Sequence, residues 1–125
     1  LRSYSMSDFT QYTLETAQGE AADILNSIEK SYGFVPNLFA YMAEAPTTIK
    51  AYLQLNQLLQ ETSFSNQQLQ LALLAVSIQN DCNFCASAHQ FMAAKFGTDA
   101  RSVAAVRGDG EFANEQDKVL VDTVQ

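Results

Sequence analysis

The chain has 125 residues, of which 47% are hydrophobic, so it can bury the core of one domain without cross-links or a metal. Its net charge is −7 and its seven Lys and Arg residues are scattered, which argues against nucleic acid as a partner. The longest apolar run, near Leu69 to Val76, is far shorter than the roughly 20 residues of a membrane helix, and no secretory signal is visible. We therefore expect a cytoplasmic protein with no membrane span.

The first part of the chain predicts a lead-in followed by a helix. Residues 1–15 show no sustained period and are expected to be irregular, packing through three apolar side chains, Phe9, Tyr12 and Leu14. From Ala17 to Tyr32 apolar residues recur at helical spacing, and Gly33 suits a left-handed cap at the end of this first helix.

Two further helices are predicted before residue 61. A short second helix from Asn37 to Glu44 is closed by Pro46. Thr47 or Thr48 then caps a third helix that runs to about Gln60. Its wide apolar arc predicts burial on more than one side.

The fourth helix is the most apolar segment of the chain. Ser65 and Gln68 have the spacing of a capping box, which predicts that the helix begins at Asn66 and runs to about Gln79. Its apolar residues surround nearly the whole circumference, as expected of a central helix or of one in a subunit interface.

Three more helices complete an all-α pattern. Asn80 and Asp81 are expected to cap a fifth helix that begins with a Cys-Asn-Phe-Cys tetrad and ends at Phe96 before Gly97. The sixth helix is predicted to begin after a Thr98 cap and to end at Val106, and the seventh to begin after Asn114. We expect about six or seven helices in a single domain spanning residues 1–125, with a truncated C-terminus because the last helical pattern is still running at Gln125.

The residues with the most reactive chemistry lie together at the start of the fifth helix. Cys82, Cys85 and His89 include both cysteines and the only histidine, and steps of three and four residues place them on one helical face. A cysteine attacks as thiolate, so it needs a positive helix end or a base nearby. The four-residue step makes Cys85 and His89 a nucleophile and base pair, and Cys82 can then form a disulfide with Cys85.

Other readings of this motif are weaker. A structural zinc site wants four ligands, and Cys82, Cys85 and His89 supply three, so a metal would need a carboxylate such as Asp81 or a second subunit. A c-type haem site is excluded because Ala86 follows Cys85. A thioredoxin fold is disfavoured because no strand precedes the tetrad. We expect neither a metal nor a bound cofactor.

The stretch from about Phe34 to Phe96 resembles the alkylhydroperoxidase D-like branch of the carboxymuconolactone decarboxylase family. The matching features are Val-Pro-Asn-Leu-Phe at 35–39, the apolar fourth helix, and the Cys-x-x-Cys-x-x-x-His core at 82–89. The resemblance implies an all-α antioxidant oxidoreductase that reduces small organic hydroperoxides and assembles as a homo-oligomer, a trimer or hexamer. It also implies that a separate dithiol protein reduces the enzyme, and the dithiols that serve in this way include lipoyl groups carried on partner proteins.

By this resemblance Cys85 is the peroxidatic thiol, Cys82 the resolving thiol and His89 the proton-relay partner. The family has a glutamate twelve residues before the first cysteine, where this chain has Gln70. An amide can orient a neighbour but cannot take up a proton, so the relay is shortened to His89 or weakened. Two alternatives stay open: a non-redox, decarboxylase-like enzyme using His89 as acid or base, and a non-enzymatic helical oligomer with a degraded site.

Overall fold

The computed structural model describes residues 9–125, and within that range it contains seven α-helices and no strand. They are α1 (Gly19–Tyr32), α2 (Asn37–Met42), α3 (Pro46–Gln60), α4 (Asn66–Gln79), α5 (Asn83–Phe96), α6 (Ala100–Val106) and α7 (Glu115–Val124). The predicted all-α class is confirmed. None of the described helices is long and apolar enough to cross a membrane.

The described chain divides into two compact units, with the boundary between Gln57 and Leu58. The expectation of a single domain over residues 1–125 stays a prediction. The first half of the predicted lead-in, residues 1–8, lies outside the described residues.

The first unit has a core built from α1, α2 and the start of α3. Its members are apolar and almost fully buried, among them Leu25, Ile28, Phe39 and Ile49. Tyr12 and Leu14 pack against this core, as the lead-in prediction expected. Phe9 does not, because half of its surface stays exposed.

The boundaries of α2 and α3 differ from the predicted ones. The second helix ends at Met42 rather than Glu44, and Pro46 begins α3 instead of closing α2. Thr47 and Thr48 are therefore inside the helix, and neither is its cap. The physical reason is that proline suits the first helical position, where its missing N–H is not needed and its fixed φ is already helical.

Only one residue of α3, Ile49, is buried in the single chain. Leu55 and Leu58 keep 59% and 53% of their surface exposed. The prediction that α3 is buried on more than one side is therefore not met in the single chain.

The second unit is organised around α4, which packs against α5, α6 and α7. The buried core combines residues of all four helices, including Leu71, Leu74, Ala86, Val106 and Val121. The central position expected of α4 is thus observed within this unit. The predicted capping box is also present, since Ser65 Oγ accepts the N–H of Gln68 and the Gln68 side chain accepts the N–H of Ser65.

The start of α6 differs from the prediction. Asp99, not Thr98, caps the helix by accepting the N–H of Arg101 at 2.9 Å. The Thr98 hydroxyl instead donates to the carbonyl of Gln67 at 3.2 Å, linking this loop to the first turn of α4. The competing partner explains why Thr98 does not act as the cap.

A fully buried serine connects α6 to the start of α7. The Ser102 hydroxyl donates to Asp117 Oδ2 at 2.5 Å and accepts the N–H of Ala113 at 3.0 Å. The seventh helix begins after Asn114 as predicted, and the Asn114 side chain caps it by accepting the N–H of Asp117 at 2.8 Å. These bonds satisfy the buried polar groups where the two helices meet.

Candidate active site

The corner between α4 and α5 fixes the position of the first cysteine. Asp81 has a left-handed backbone, with φ of 52°, and its N–H donates to the carbonyl of Ile78 at 3.1 Å. The N–H of Cys82 donates to the carbonyl of Ser77 at 2.9 Å. These two hydrogen bonds, together with the left-handed backbone of Asp81, form the Schellman motif that ends many helices. Cys82 is therefore held by the end of α4 before α5 begins.

Cys82 is also the N-cap of α5. Its sulfur accepts the N–H of Cys85 at 3.3 Å, and its carbonyl accepts the N–H of Ala86 at 2.9 Å. The prediction that Asn80 or Asp81 caps this helix is wrong, because Asp81 belongs to the C-terminal cap of α4. One cysteine thus ends one helix and begins the next.

Cys82 and Cys85 are joined by a disulfide, with their Cα atoms 5.3 Å apart. Both residues are partly exposed. A disulfide at a helix N-terminus can be reduced to a dithiol in which the free N–H groups and the helix dipole favour a thiolate. The two sulfurs therefore have the proximity that a dithiol and disulfide cycle requires.

The predicted glutamine and histidine contact each other across the α4 and α5 helix pair. His89 Nδ1 lies 2.9 Å from Gln70 Oε1, and both side chains are partly buried. Since an amide oxygen can only accept, Nδ1 is the donor in this contact and Nε2 keeps its lone pair. Gln70 therefore holds the imidazole from the opposite helix.

Burial lowers the pKa of His89 below its usual value, because desolvation penalises the imidazolium form. A neutral imidazole is the form that can accept a proton from a thiol. His89 also lies one helical turn beyond Cys85 on the same helix.

The four site residues form two linked pairs. The disulfide joins Cys82 to Cys85, and the hydrogen bond joins Gln70 to His89. Within residues 9–125 there is no group of three or more His, Cys, Asp and Glu side chains that could hold a metal ion.

The role of the backbone at the corner was not predicted from the sequence. The left-handed Asp81 and the carbonyl of Ser77 set the direction in which α5 leaves α4. The available signal was that three residues separate two helices at this point, which leaves room for little more than a helix-ending motif.

An open groove of about 520 Å³ lies elsewhere in the second unit, beside α7. Its apolar lining includes Phe64, Val119 and Leu120, and none of the four site residues lines it.

The profile of the carboxymuconolactone decarboxylase family matches residues 46–121, well over half of the chain. The matched range contains Gln70, Cys82, Cys85 and His89. No curated protein sequence matches the chain at a significant level.

Proposed function

Because the chain belongs to the carboxymuconolactone decarboxylase family, we propose that it is an enzyme, a thiol-dependent hydroperoxide reductase of the alkylhydroperoxidase D-like branch. The observation that carries this proposal is the Cys82 to Cys85 disulfide at the start of the helix that also carries His89. A disulfide is the expected product of peroxide reduction by two neighbouring thiols.

In the reduced enzyme Cys85 transfers its proton to His89 and attacks the terminal oxygen of the hydroperoxide as a thiolate. The O–O bond breaks, the alkoxide takes the proton from the imidazolium and leaves as an alcohol, and Cys85 becomes a sulfenic acid. The thiol of Cys82 then attacks the sulfur of Cys85. Water leaves and the disulfide closes, so the peroxide is reduced by two electrons and the two thiols are oxidised.

Recovery of the dithiol needs an external dithiol reductant, which becomes a disulfide in turn. We propose that a small organic hydroperoxide and a dithiol carrier protein, including one that bears a lipoyl group, are the partners of the site. The proposal extends to a homo-oligomer, a trimer or hexamer. Two aromatic side chains on α5, Phe84 and Phe91, support this assembly, because they are exposed and offer an apolar contact surface near the cysteines.

The test is to mix fully reduced protein with an alkyl hydroperoxide and to follow peroxide loss together with the mass of the peptide containing both cysteines. The wild type should consume one equivalent and lose two hydrogens from that peptide. Cys85→Ser should consume peroxide no faster than buffer. Cys82→Ser should consume one equivalent and stop with a sulfenic acid on Cys85.

Ser87→Ala is the matched control, because Ser87 is exposed on the same helix two residues beyond Cys85. It should behave as wild type. Unchanged peroxide consumption by Cys85→Ser would reject the proposed role of Cys85.

A non-redox, decarboxylase-like activity is the second candidate, favoured by the hydrogen bond to Gln70 that engages Nδ1 of the His89 ring. In that case His89 acts as general acid or base and the cysteines are dispensable. Activity on such a substrate that survives replacement of both cysteines by serine, and is lost in His89→Ala, would establish it in place of the peroxidase.

A further inference from the structure

The contact between Gln70 and His89 determines which ring nitrogen can move a proton. Gln70 lies on α4 and His89 on α5, and the two atoms are 2.9 Å apart in a partly buried position. The Oε1 atom has lone pairs and no hydrogen, so the bond forms only when Nδ1 carries the hydrogen. In the neutral ring that leaves Nε2 as the basic nitrogen.

Few ionisable side chains lie on the two helices that carry this pair. The segment Asn66–Gln79 contains no ionisable side chain, and α5 carries Lys95, His89 itself and, once reduced, Cys85. On the neighbouring helix α6, Arg101 pairs with Asp99. Arg107, at the C-cap of α6, donates to Gln90 Oε1 at 2.7 Å. No carboxylate lies on either helix of the pair that carries Gln70 and His89.

We propose that Gln70 is a positioning residue that fixes His89 as the Nδ1–H tautomer, so that Nε2 is the single atom through which the site moves protons. This inference rests on the proposed peroxidase function. Each step of that reaction moves one proton from a thiol to a leaving oxygen, which one nitrogen can do by taking the proton and returning it. A carboxylate in place of the amide would store a second proton, and its charge would favour the imidazolium.

The burial of the ring acts in the same direction. It disfavours the imidazolium and so favours the neutral ring, which is the form that has a defined tautomer. The amide adds orientation without adding charge, which separates its effect from that of the carboxylate it replaces.

The experiment is a ¹⁵N NMR measurement of the imidazole in the oxidised protein at pH 7.5. His89 is the only histidine, so its two ring nitrogens are assigned without ambiguity. The wild type should show a protonated Nδ1 and a bare Nε2. Gln70→Met, which keeps the side-chain length and removes the acceptor, should shift the population toward Nε2–H.

Gln67→Met is the matched control, because Gln67 is exposed one turn earlier on α4. It should leave the wild-type tautomer unchanged. A wild-type ring with hydrogen on Nε2, or a Gln70→Met ring with the wild-type tautomer, would overturn the inference.

A carboxylate variant provides the second readout. Gln70→Glu keeps an acceptor at the same place and should preserve the Nδ1–H tautomer while raising the His89 pKa, whereas Gln67→Glu should raise it much less. In the peroxide assay Gln70→Met should be slower than wild type by at least about tenfold, and Gln70→Glu should recover the rate. Equal His89 pKa values in the two Glu variants, or a Gln70→Met rate equal to wild type, would contradict the positioning role.

The two proposals fail in different ways. A protein with the expected tautomer that consumes no peroxide would reject the peroxidase function and leave the Gln70 contact intact. A protein that consumes peroxide through Cys85 with the opposite tautomer would reject the role of Gln70 alone.

Discussion

His89 makes the stability of the folded chain depend on pH, and the burial of its ring sets the sign of this dependence. In an unfolded chain the imidazole takes up a proton near pH 6.5, whereas in the folded chain its pKa is lowered by desolvation. Between these two pKa values the unfolded state binds more protons than the folded state. The contribution of His89 to stability is therefore complete above about pH 6.5 and is lost as the pH falls below it.

We expect the free energy of unfolding of the oxidised protein to fall between pH 7.5 and pH 5.5, measured by urea denaturation. His89→Gln, which cannot be protonated, should show a smaller fall over the same range. Identical pH dependence of the two proteins would mean that the folded state does not disfavour the imidazolium. The upper part of this range avoids most of the carboxylate titrations, which lie near pH 4.

At the same scale, the chemistry of individual residues was readable from sequence and their contacts were not. The spacing of Cys82, Cys85 and His89 predicted a shared helical face because a helix has a fixed period. The bond from His89 to Gln70 joins residues 19 positions apart on two helices. Sequence marked Gln70 as a departure from the family pattern, and the packing of α4 on α5 supplied its partner.

The corner between α4 and α5 is the element that places the redox pair, and it contains a strained residue. Among the residues that the structure describes, Asp81 is the one non-glycine with a positive φ. A side chain in this region costs free energy that glycine avoids.

We therefore expect Asp81→Gly to raise the free energy of unfolding by about 0.5–1 kcal/mol, measured by urea denaturation. The matched control is Asn80→Gly at the preceding position, where φ is −89° and no strain is relieved. That change should lower stability by about 0.5–1 kcal/mol, because glycine only adds freedom to the unfolded chain. If both variants are destabilised equally, the Asp81 backbone is not strained.

Helix ends were the least predictable part of each element. The Ser65 and Gln68 box and the start of α7 after Asn114 were foreseen, since each depends on a local pattern. The cap of α5 was missed because a cysteine sulfur took the place of the usual oxygen acceptors. The cap of α6 was missed because Thr98 bonds to a residue 31 positions away.

For the whole molecule, the open question is whether the two units unfold together. The predicted single domain implies one cooperative unfolding transition, in which a substitution in the core of one unit lowers the free energy of unfolding of both units. Leu25 is fully buried in the core of the first unit. Leu25→Ala should therefore lower the free energy of unfolding by about 2–5 kcal/mol.

We expect that loss to appear equally in the hydrogen exchange of slow backbone amides in α1 and in α4, followed against urea concentration. The matched control is Leu55→Ala, because Leu55 is 59% exposed and its truncation should have little effect. A loss of protection confined to α1 would show two separately folding domains and would contradict the single-domain prediction.

The sequence by itself determined the all-α class, the seven helical segments to within a few residues, and the grouping of both cysteines with the only histidine at one helix start. These features are local, because they depend on periodicity, turn residues and the types of neighbouring side chains. The tertiary structure decided the Schellman corner at Asp81, the cap made by Cys82 and the bond between Gln70 and His89. Those features depend on which helix faces meet, and that is set by burying the apolar surface of α4 against its three neighbours.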